Sequence, residues 1–256
     1  MMKSFSPKEK VCMNNNNNNN NRKARRKRVV IKLSGSIFSQ NAKKDSIKRY
    51  AKMLSDISNK VQPVVIAGGG EIARHYINLA RDLGSDEASL DIIGIEVSRL
   101  NAKLLILALG DQAYLCVPKT LEEVAVATDS GKIVIAGGLH PGQSTNATSA
   151  LIAEKVKASA FLNGTDVDGI YGSDPNTNKN TKLFKKITIK ECIEILKAGS
   201  SMAGTYDLMD LVALKVIERS KIPTRVLRSD VSNIKNAISG KYHIGTEIVP
   251  FKKQSL

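Results

Sequence analysis

Short apolar runs alternate with amphipathic stretches along the chain from residue 28 onward. Short apolar runs, several of them rich in β-branched residues, predict buried strands, and they read RVVIKL (28–33), PVVIA (63–67), AYLCV (113–117), KIVIA (132–136) and ASAFL (158–162). Apolar residues at helical spacing predict the elements between them, over about 45–59, from near 71, and over 90–109, 121–127 and 145–157. This alternation is typical of a mainly parallel sheet with helices on both faces, so we predict an α/β fold.

The second half of the chain continues this pattern. Thr188 and Glu191 have the spacing of a capping box and predict the start of a helix. A further helix is predicted over about 206–220, and PTRVL (223–227) predicts a late strand. We find no internal repeat and predict one large domain over residues 28–256.

The net charge of +15 is concentrated at the N-terminus. Residues 1–28 contain nine Lys or Arg and one Glu, and an asparagine run (14–21) precedes RKARRKR. Residues 1–27 have no apolar periodicity, so we predict a disordered tail that binds nucleic acid at most weakly through its charge. The rest of the chain has few aromatic residues and no zinc-finger, recognition-helix or base-stacking pattern.

Membrane and secretory segments are not apparent in the sequence. No apolar run reaches the ~18 to 20 residues of a membrane-spanning helix, and the N-terminus lacks the apolar core of a signal peptide. We therefore predict a cytoplasmic protein with no membrane partner.

Four predicted strands end in glycine-rich or acidic loops, which read KLSGS (32–36), AGGGE (67–71), AGGLHPGQSTN (136–146) and NGTDVDG (163–169). Ligands of open α/β sheets collect beyond the carboxyl ends of the strands. Glycines allow backbone N–H groups to approach oxyanions, and the helix after Gly70 adds the positive end of its dipole. The four loops together predict a large site for phosphate-containing ligands.

The last of these loops continues as TDVDGIYGSDP (165–175), which combines turn formers, acceptors and one aromatic ring. Its glycines permit unusual backbone conformations, its three aspartates offer oxygens, and Tyr171 offers a flat ring for a base. A polar surface turn is the alternative interpretation of this stretch taken alone.

A cation for phosphoryl transfer must come from outside the common phosphate loops. The chain has no GxxxxGK[ST] segment, no dinucleotide fingerprint and no HRD/DFG pair. Lys32 is the candidate, because it ends the first strand directly before Ser34, Gly35 and Ser36, where an ammonium group can face a transferring phosphoryl group. An exposed lysine at a strand end is the alternative.

Several segments of the sequence resemble those of a known family. Six segments occur in the order expected of the amino acid kinase superfamily, and more closely of archaeal-type uridylate (UMP) kinases: KLSGS, VVIAGGGEIARHY, LDIIGIEVSRLNAKLL, GGLHPGQSTNATSALIAE, TDVDGIYGSDP and GTYDLMDLVALKVIERSKIPTRVL. The resemblance covers residues 28–250. It implies a three-layer sandwich, ATP-dependent phosphorylation of UMP to UDP in pyrimidine nucleotide biosynthesis, Mg²⁺ accompanying ATP, and a homohexamer. It places UMP on a lobe of about residues 29–158 and ATP on one of about 159–250.

The resemblance also implies roles for individual residues. Lys32 and Asp210 match catalytic positions, and no protein residue is assigned as a metal ligand. The ATP site matches Lys32, Leu33, Ser34, Gly35, Ser36, Gly70, Arg74, Thr165, Asp166, Tyr171 and Asp174. The UMP site matches Gly69, Asp91, His140, Pro141, Gly142, Gln143, Ser144, Thr145 and Asn146.

Some positions leave alternatives open. Ser34 replaces a common glycine, and Asn146 replaces a common aspartate, so only hydrogen bonding remains there. The resemblance implies that Asp210 orients a lysine or a metal-bound water; helix capping or placement on the surface are the alternatives. Three other functions also remain: a superfamily kinase for a carboxylate or another small phosphate acceptor, a non-catalytic nucleotide-binding subunit, and a nucleic-acid-associated regulator acting through the tail.

Overall fold

A computed structural model of the chain describes residues 26–173, 175, 178–199 and 208–249. Within these residues one sheet of seven strands forms, in the order β3-β2-β1-β4-β6-β7-β5. The strands are β1 (Arg28–Leu33), β2 (Gln62–Ala67), β3 (Val134–Ala136), β4 (Ala160–Thr165), β5 (Lys186–Thr188), β6 (Thr224–Arg228) and β7 (Thr246–Val249). All neighbours are parallel except β6 and β7. The predicted mainly parallel α/β fold is confirmed.

Helices cover both faces of the sheet. They are α1 (Lys44–Ser58), α2 (Gly70–Asp82), α3 (Glu87–Leu109), α4 (Leu121–Asp129), α5 (Thr145–Lys155), α6 (Ile189–Gly199), α7 (Leu211–Ser220) and α8 (Val231–Ile238). Side chains alternate between the faces of a strand, so Val30 joins one core with α4 to α7, whereas Ile31 joins a second core with α1, α3 and α8. In the part of the chain that the structure describes, no helix has both the length and the apolarity to cross a membrane.

Most predicted helices form within a few residues of their predicted bounds. The capping box is confirmed, because the Thr188 N–H donates to Glu191 Oε2 at 2.8 Å and the Glu191 N–H donates to Thr188 Oγ1 at 3.1 Å. The helix predicted over 206–220 begins only at Leu211, because Asp210 has extended dihedral angles and caps it. Residues 206 and 207 lie outside the described residues.

The strand predicted over 113–117 is wrong. Only Ala113 pairs, in a single bridge to Ile133 beside the edge strand β3. Leu115 is half-exposed, and Pro118 lacks the N–H that a continuing ladder needs. The strands β5 and β7 were not predicted, because three or four residues give a weak periodic signal. The helix α8 was also missed, although Val231, Ile234 and Ala237 have helical spacing.

Candidate active site

The four glycine-rich or acidic loops lie at one edge of the sheet. Strands β3, β2, β1 and β4 are adjacent and parallel, so their carboxyl ends point the same way. In the register, Leu33 lies beside Ala67, and Lys32 lies beside Asn163 on the other side. The sheet therefore brings the predicted phosphate-binding segments together in space.

The first two loops touch through their backbones. A Cβ atom added to Gly35 would lie 2.1 Å from the Gly70 nitrogen, and one added to Gly70 would lie 2.4 Å from the Gly35 carbonyl oxygen. Gly70 also has a φ of 66°, which side-chain-bearing residues rarely adopt. Both positions thus require glycine, and the contact fixes the start of α2 against the end of β1.

Ser34 and Ser36 join the first loop to two later ones. Its φ of −60° is ordinary, so serine in place of glycine causes no strain, and its side chain caps the short 3₁₀ helix Gly35–Phe38. The Ser34 N–H donates to Ser229 Oγ at 3.0 Å, and the Ser36 hydroxyl donates to Asp166 Oδ1 at 2.6 Å. The loops after β1, β4 and β6 are therefore linked by hydrogen bonds.

Lys32 lies within β1 rather than on an exposed end. Its residue is half-buried, and strand alternation places its side chain on the face of Val30. The neighbouring Asn163 is fully buried, and its side-chain amide donates to the Leu208 carbonyl at 2.7 Å. Lys32 thus leaves the sheet on the face where α5 and α7 begin, which excludes the interpretation of a fully exposed lysine.

Polar residues of α3 hold the backbones of the second and third loops. Asn101 Nδ2 donates to the Gly68 carbonyl at 2.8 Å, and the Gly138 N–H donates to Ser98 Oγ at 2.7 Å. Arg99 Nε donates to the Gly138 carbonyl at 3.1 Å. These residues were missed from the sequence. No local signal distinguishes them, because α3 carries other polar residues as well, including Glu96 and Lys103.

The loop over 140–146 meets Asp91 at its tip. The Gly142 N–H donates to Asp91 Oδ2 at 2.6 Å, and Gly142 has a φ of 75°. His140 is exposed. Asp91 and this loop, which the resemblance assigns to one ligand, are thus adjacent in space.

Two helix caps meet behind this loop. Ser144 caps α5 by accepting from the Asn146 and Ala147 N–H groups at 3.0 Å each, and its hydroxyl donates to Asp210 Oδ2. Asp210 Oδ1 accepts from the Ala213 N–H at 2.8 Å and so caps α7. The capping alternative for Asp210 is therefore observed, and it joins the starts of two helices.

Several buried oxygens at the start of α5 lack a hydrogen-bond partner among the described residues. They include Gln143 Oε1, Asn146 Oδ1 and Thr148 Oγ1. Asn146 is only 4% exposed. Unsatisfied buried acceptors are costly, so a bound molecule with N–H or O–H donors would stabilise this region.

The loop after β4 is folded around Arg228. Its guanidinium donates from Nε to Asp168 Oδ1 and from Nη1 to the Asp166 carbonyl, each at 2.6 Å. The half-buried Tyr171 places its hydroxyl 3.5 Å from Asp168 Oδ2, and burial, with the Asp168 charge, raises the pKa of this phenol. Asp174 lies outside the described residues.

Two further assigned positions flank this edge. Thr165 is buried, and its hydroxyl donates to the Val167 carbonyl at 2.8 Å. Arg74 is exposed in the first turns of α2, close in sequence to Gly69 and Gly70. Among the described residues, no group of three or more His, Cys, Asp or Glu side chains forms a candidate metal cluster.

Comparisons with known proteins agree with this geometry. The amino acid kinase family matches residues 27–228. The uridylate kinase of Methanobrevibacter smithii is 40% identical over 87% of this chain and 99% of its own length, and that of Sulfurisphaera tokodaii is 41% identical over 87% and 99%. The crystal structure of uridylate kinase from Archaeoglobus fulgidus superposes with a TM-score of 0.78 at 38% identity, covering 86% of this chain and 99% of that one. The chain belongs to the amino acid kinase family, in which these relatives are archaeal uridylate kinases.

Proposed function

We propose that the protein transfers the γ-phosphoryl group of ATP to UMP, forming UDP and ADP. The observation that carries this proposal is the meeting of four loops at one sheet edge beside Lys32, with the first two in backbone contact through Gly35 and Gly70. The relatives named uridylate kinase support UMP as the acceptor.

The acceptor nucleotide is proposed to bind between Asp91, Gly69 and the loop over 140–146. Uracil and ribose carry N–H and O–H donors, which match the buried acceptor oxygens of Gln143 and Asn146. The N-terminus of α5 adds backbone N–H groups and the positive end of a helix dipole near the same loop.

The donor nucleotide is proposed to bind across the loops after β1, β2 and β4. Thr165, Asp166 and Tyr171 lie on the β4 side, and Gly70 with Arg74 lies at the start of α2. Lys32 is proposed to face the phosphates of both nucleotides, since β1 lies between β4, on the ATP side, and β2, whose loop supplies Gly69 to the proposed UMP site and Gly70 to the proposed ATP site.

The chemistry requires positioning and charge neutralisation rather than a covalent intermediate. A UMP phosphate oxygen is already an anion, so it attacks the γ-phosphorus without a general base, and Lys32 stabilises the charge on the transferred group. Mg²⁺ bound to ATP would neutralise phosphate oxygens. It needs few protein carboxylates, and the Asp166 carboxylate and the Ser36 hydroxyl, hard oxygens in the loops after β4 and β1, would be the described groups able to hold such an ion.

Substrate choice tests this proposal directly. With Mg²⁺ and ATP, kcat/KM for UMP is expected to exceed that for CMP, AMP, acetylglutamate or carbamate at least about tenfold, which needs only ~1.4 kcal/mol of differential transition-state binding. A coupled ADP-release assay over this acceptor panel measures it. Equal rates with a carboxylate acceptor would favour another kinase of the family, and nucleotide binding without turnover would favour a non-catalytic subunit.

We also propose that the protein forms a homohexamer, one contact of which pairs two copies through α3. Leu100, Leu104 and Leu107 are 58%, 39% and 71% exposed and form one apolar stripe of this helix at i, i+4 and i+7; Ile92, 51% exposed, lies two turns before them. Contiguous exposed apolar surface is typical of interaction sites. A two-fold axis pairs such a stripe with itself, so a second copy is the proposed occupant.

Light scattering after size exclusion tests the assembly. The expected mass is six times the 27.8 kDa of one chain, and Leu107→Glu is expected to yield smaller species because it places a charge in the apolar contact. Val126→Glu, at a residue 61% exposed on α4, is the matched control. A monomeric protein, or an unchanged mass for Leu107→Glu, would contradict the proposal.

Weak nucleic-acid binding through the N-terminal tail and a cytoplasmic location remain predictions. Residues 1–25 lie outside the described residues. Because the charge of the tail comes from Lys and Arg, any such binding is proposed to weaken steeply with added salt.

A further inference from the structure

Arg228 ends β6, the neighbour of β4 in the sheet. In the register it lies beside Thr165, the last residue of β4. Its side chain therefore starts next to the point where the loop over 165–171 leaves the sheet.

This loop is anchored at its two ends by other elements. Thr165 belongs to β4, and the Ile170 N–H donates to Thr246 Oγ1 of β7 at 2.9 Å. Between these anchors, the Arg228 guanidinium contacts two different loop groups, the Asp166 carbonyl and the Asp168 carboxylate, each at 2.6 Å. One planar group thus sets the distance between the Asp166 carbonyl and the Asp168 carboxylate.

Both partners of this contact bear on the proposed ATP position. The carboxylate of Asp166 accepts from Ser36 of the first loop, and that of Asp168 lies beside the Tyr171 hydroxyl. Displacement of either aspartate therefore moves a residue proposed to contact ATP. No group of the proposed UMP site contacts Arg228 in the described part of the chain.

We propose that Arg228 is a positioning residue for the ATP-binding loop, acting through Asp166 and Asp168 and not through contact with UMP. This inference rests on the proposed function. The guanidinium fork is what suits Arg228 to this role, since it donates two hydrogen bonds in a fixed geometry that a lysine cannot reproduce.

The ion pair between Arg228 and Asp168 is accessible to solvent, so a role in positioning the loop can be distinguished from a role in folding stability. The side chains of Arg228 and Asp168 are 49% and 34% exposed, and ion pairs this accessible contribute little to folding. Loss of Arg228 should therefore change ATP binding more than it changes the melting temperature.

The test compares Arg228→Ala and Arg228→Lys with Arg219→Ala. Arg219 makes a similar two-contact pair with Glu154 on a surface remote from the loop, so it is the matched control. For Arg228→Ala, KM for ATP is expected to rise about tenfold, with KM for UMP and the melting temperature nearly unchanged. For Arg228→Lys, KM for ATP is expected to stay at least about threefold above that of the wild type, because one ammonium group cannot hold both the Asp166 carbonyl and the Asp168 carboxylate. Arg219→Ala is expected to match the wild type.

Calorimetric titration with a non-hydrolysable ATP analogue, without UMP, provides a second readout. Its dissociation constant is expected to rise with KM for ATP in both Arg228 variants. Unchanged ATP affinity in Arg228→Ala, an equal loss for UMP, a wild-type KM in Arg228→Lys, or a similar loss in Arg219→Ala would overturn the inference. If the wild type binds the analogue but does not phosphorylate UMP, the proposed function fails while the titration still tests Arg228.

Discussion

Replacing Lys32 by alanine is expected to lower kcat about a hundredfold or more, because it removes one preorganised positive charge next to the phosphoryl group being transferred. The reason is its position: β1 lies between β4, on the side of the proposed ATP site, and β2, whose loop is proposed to contact both nucleotides, and Lys32 leaves this strand on the face where α5 and α7 begin. KM for UMP is expected to change much less, because the charge that Lys32 stabilises develops in transfer. Steady-state kinetics with each substrate varied separately measures both quantities.

Two further variants make this test specific to the charge. Lys32→Met keeps most of the side-chain volume in its half-buried setting, so it should retain the fold while losing activity as Lys32→Ala does. Lys52→Ala removes a lysine that is 79% exposed on α1 and should leave kcat unchanged. Near-normal kcat in folded Lys32→Met would assign Lys32 a structural role only.

The meeting of the four loops at one sheet edge was predictable from the sequence because it follows from local patterns. Each of the four loops directly follows an apolar run, and parallel strands bring their carboxyl ends to one edge. Lys32 was predicted for the same reason, since its distance from Ser34 and Gly35 is fixed by two or three residues of chain. Neither inference required long-range contacts.

The residues that hold the loops were not predictable in this way. Asn101 reaches Gly68 across 33 residues, and Ser229 reaches Ser34 across 195. Such contacts depend on how helices and strands pack, and a single sequence carries no local periodicity that reveals them. Arg228 is a similar case, because its register beside Thr165 exists only once β4 and β6 pair.

The role of the Asp210 side chain also could not be decided from the sequence. The resemblance left an active-site role and a capping role open, and local sequence does not separate them because aspartate suits both. The structure engages one carboxylate oxygen with the Ala213 N–H and the other with Ser144. Asp210 therefore links the helix that begins after the proposed acceptor loop to the start of α7, and a metal or lysine partner would have to share these oxygens.

Replacing Gly70 by alanine is expected to destabilise the protein by about 2–5 kcal/mol, from roughly 1–2 kcal/mol for a side chain at positive φ and about 1–3 kcal/mol for the overlap with Gly35. The added Cβ would lie 2.4 Å from the Gly35 carbonyl oxygen, which belongs to backbone and cannot rotate away. Relief requires the two loops to separate. Because both loops belong to the proposed ATP site, kcat/KM for ATP is expected to fall at least about a hundredfold.

Gly240→Ala is the matched control for this variant. Gly240 has a φ of 69°, close to the 66° of Gly70, but a Cβ added there meets no atom within 4 Å. It should therefore incur only the backbone cost of roughly 1–2 kcal/mol and retain activity. Urea unfolding and ATP kinetics compare the two variants. All measurements use the same protein concentration, because the apparent stability of an oligomer depends on it. Equal free energies of unfolding and equal kinetics for the two would mean that the contact between Gly35 and Gly70 yields without cost, and that the proposed ATP site does not depend on it.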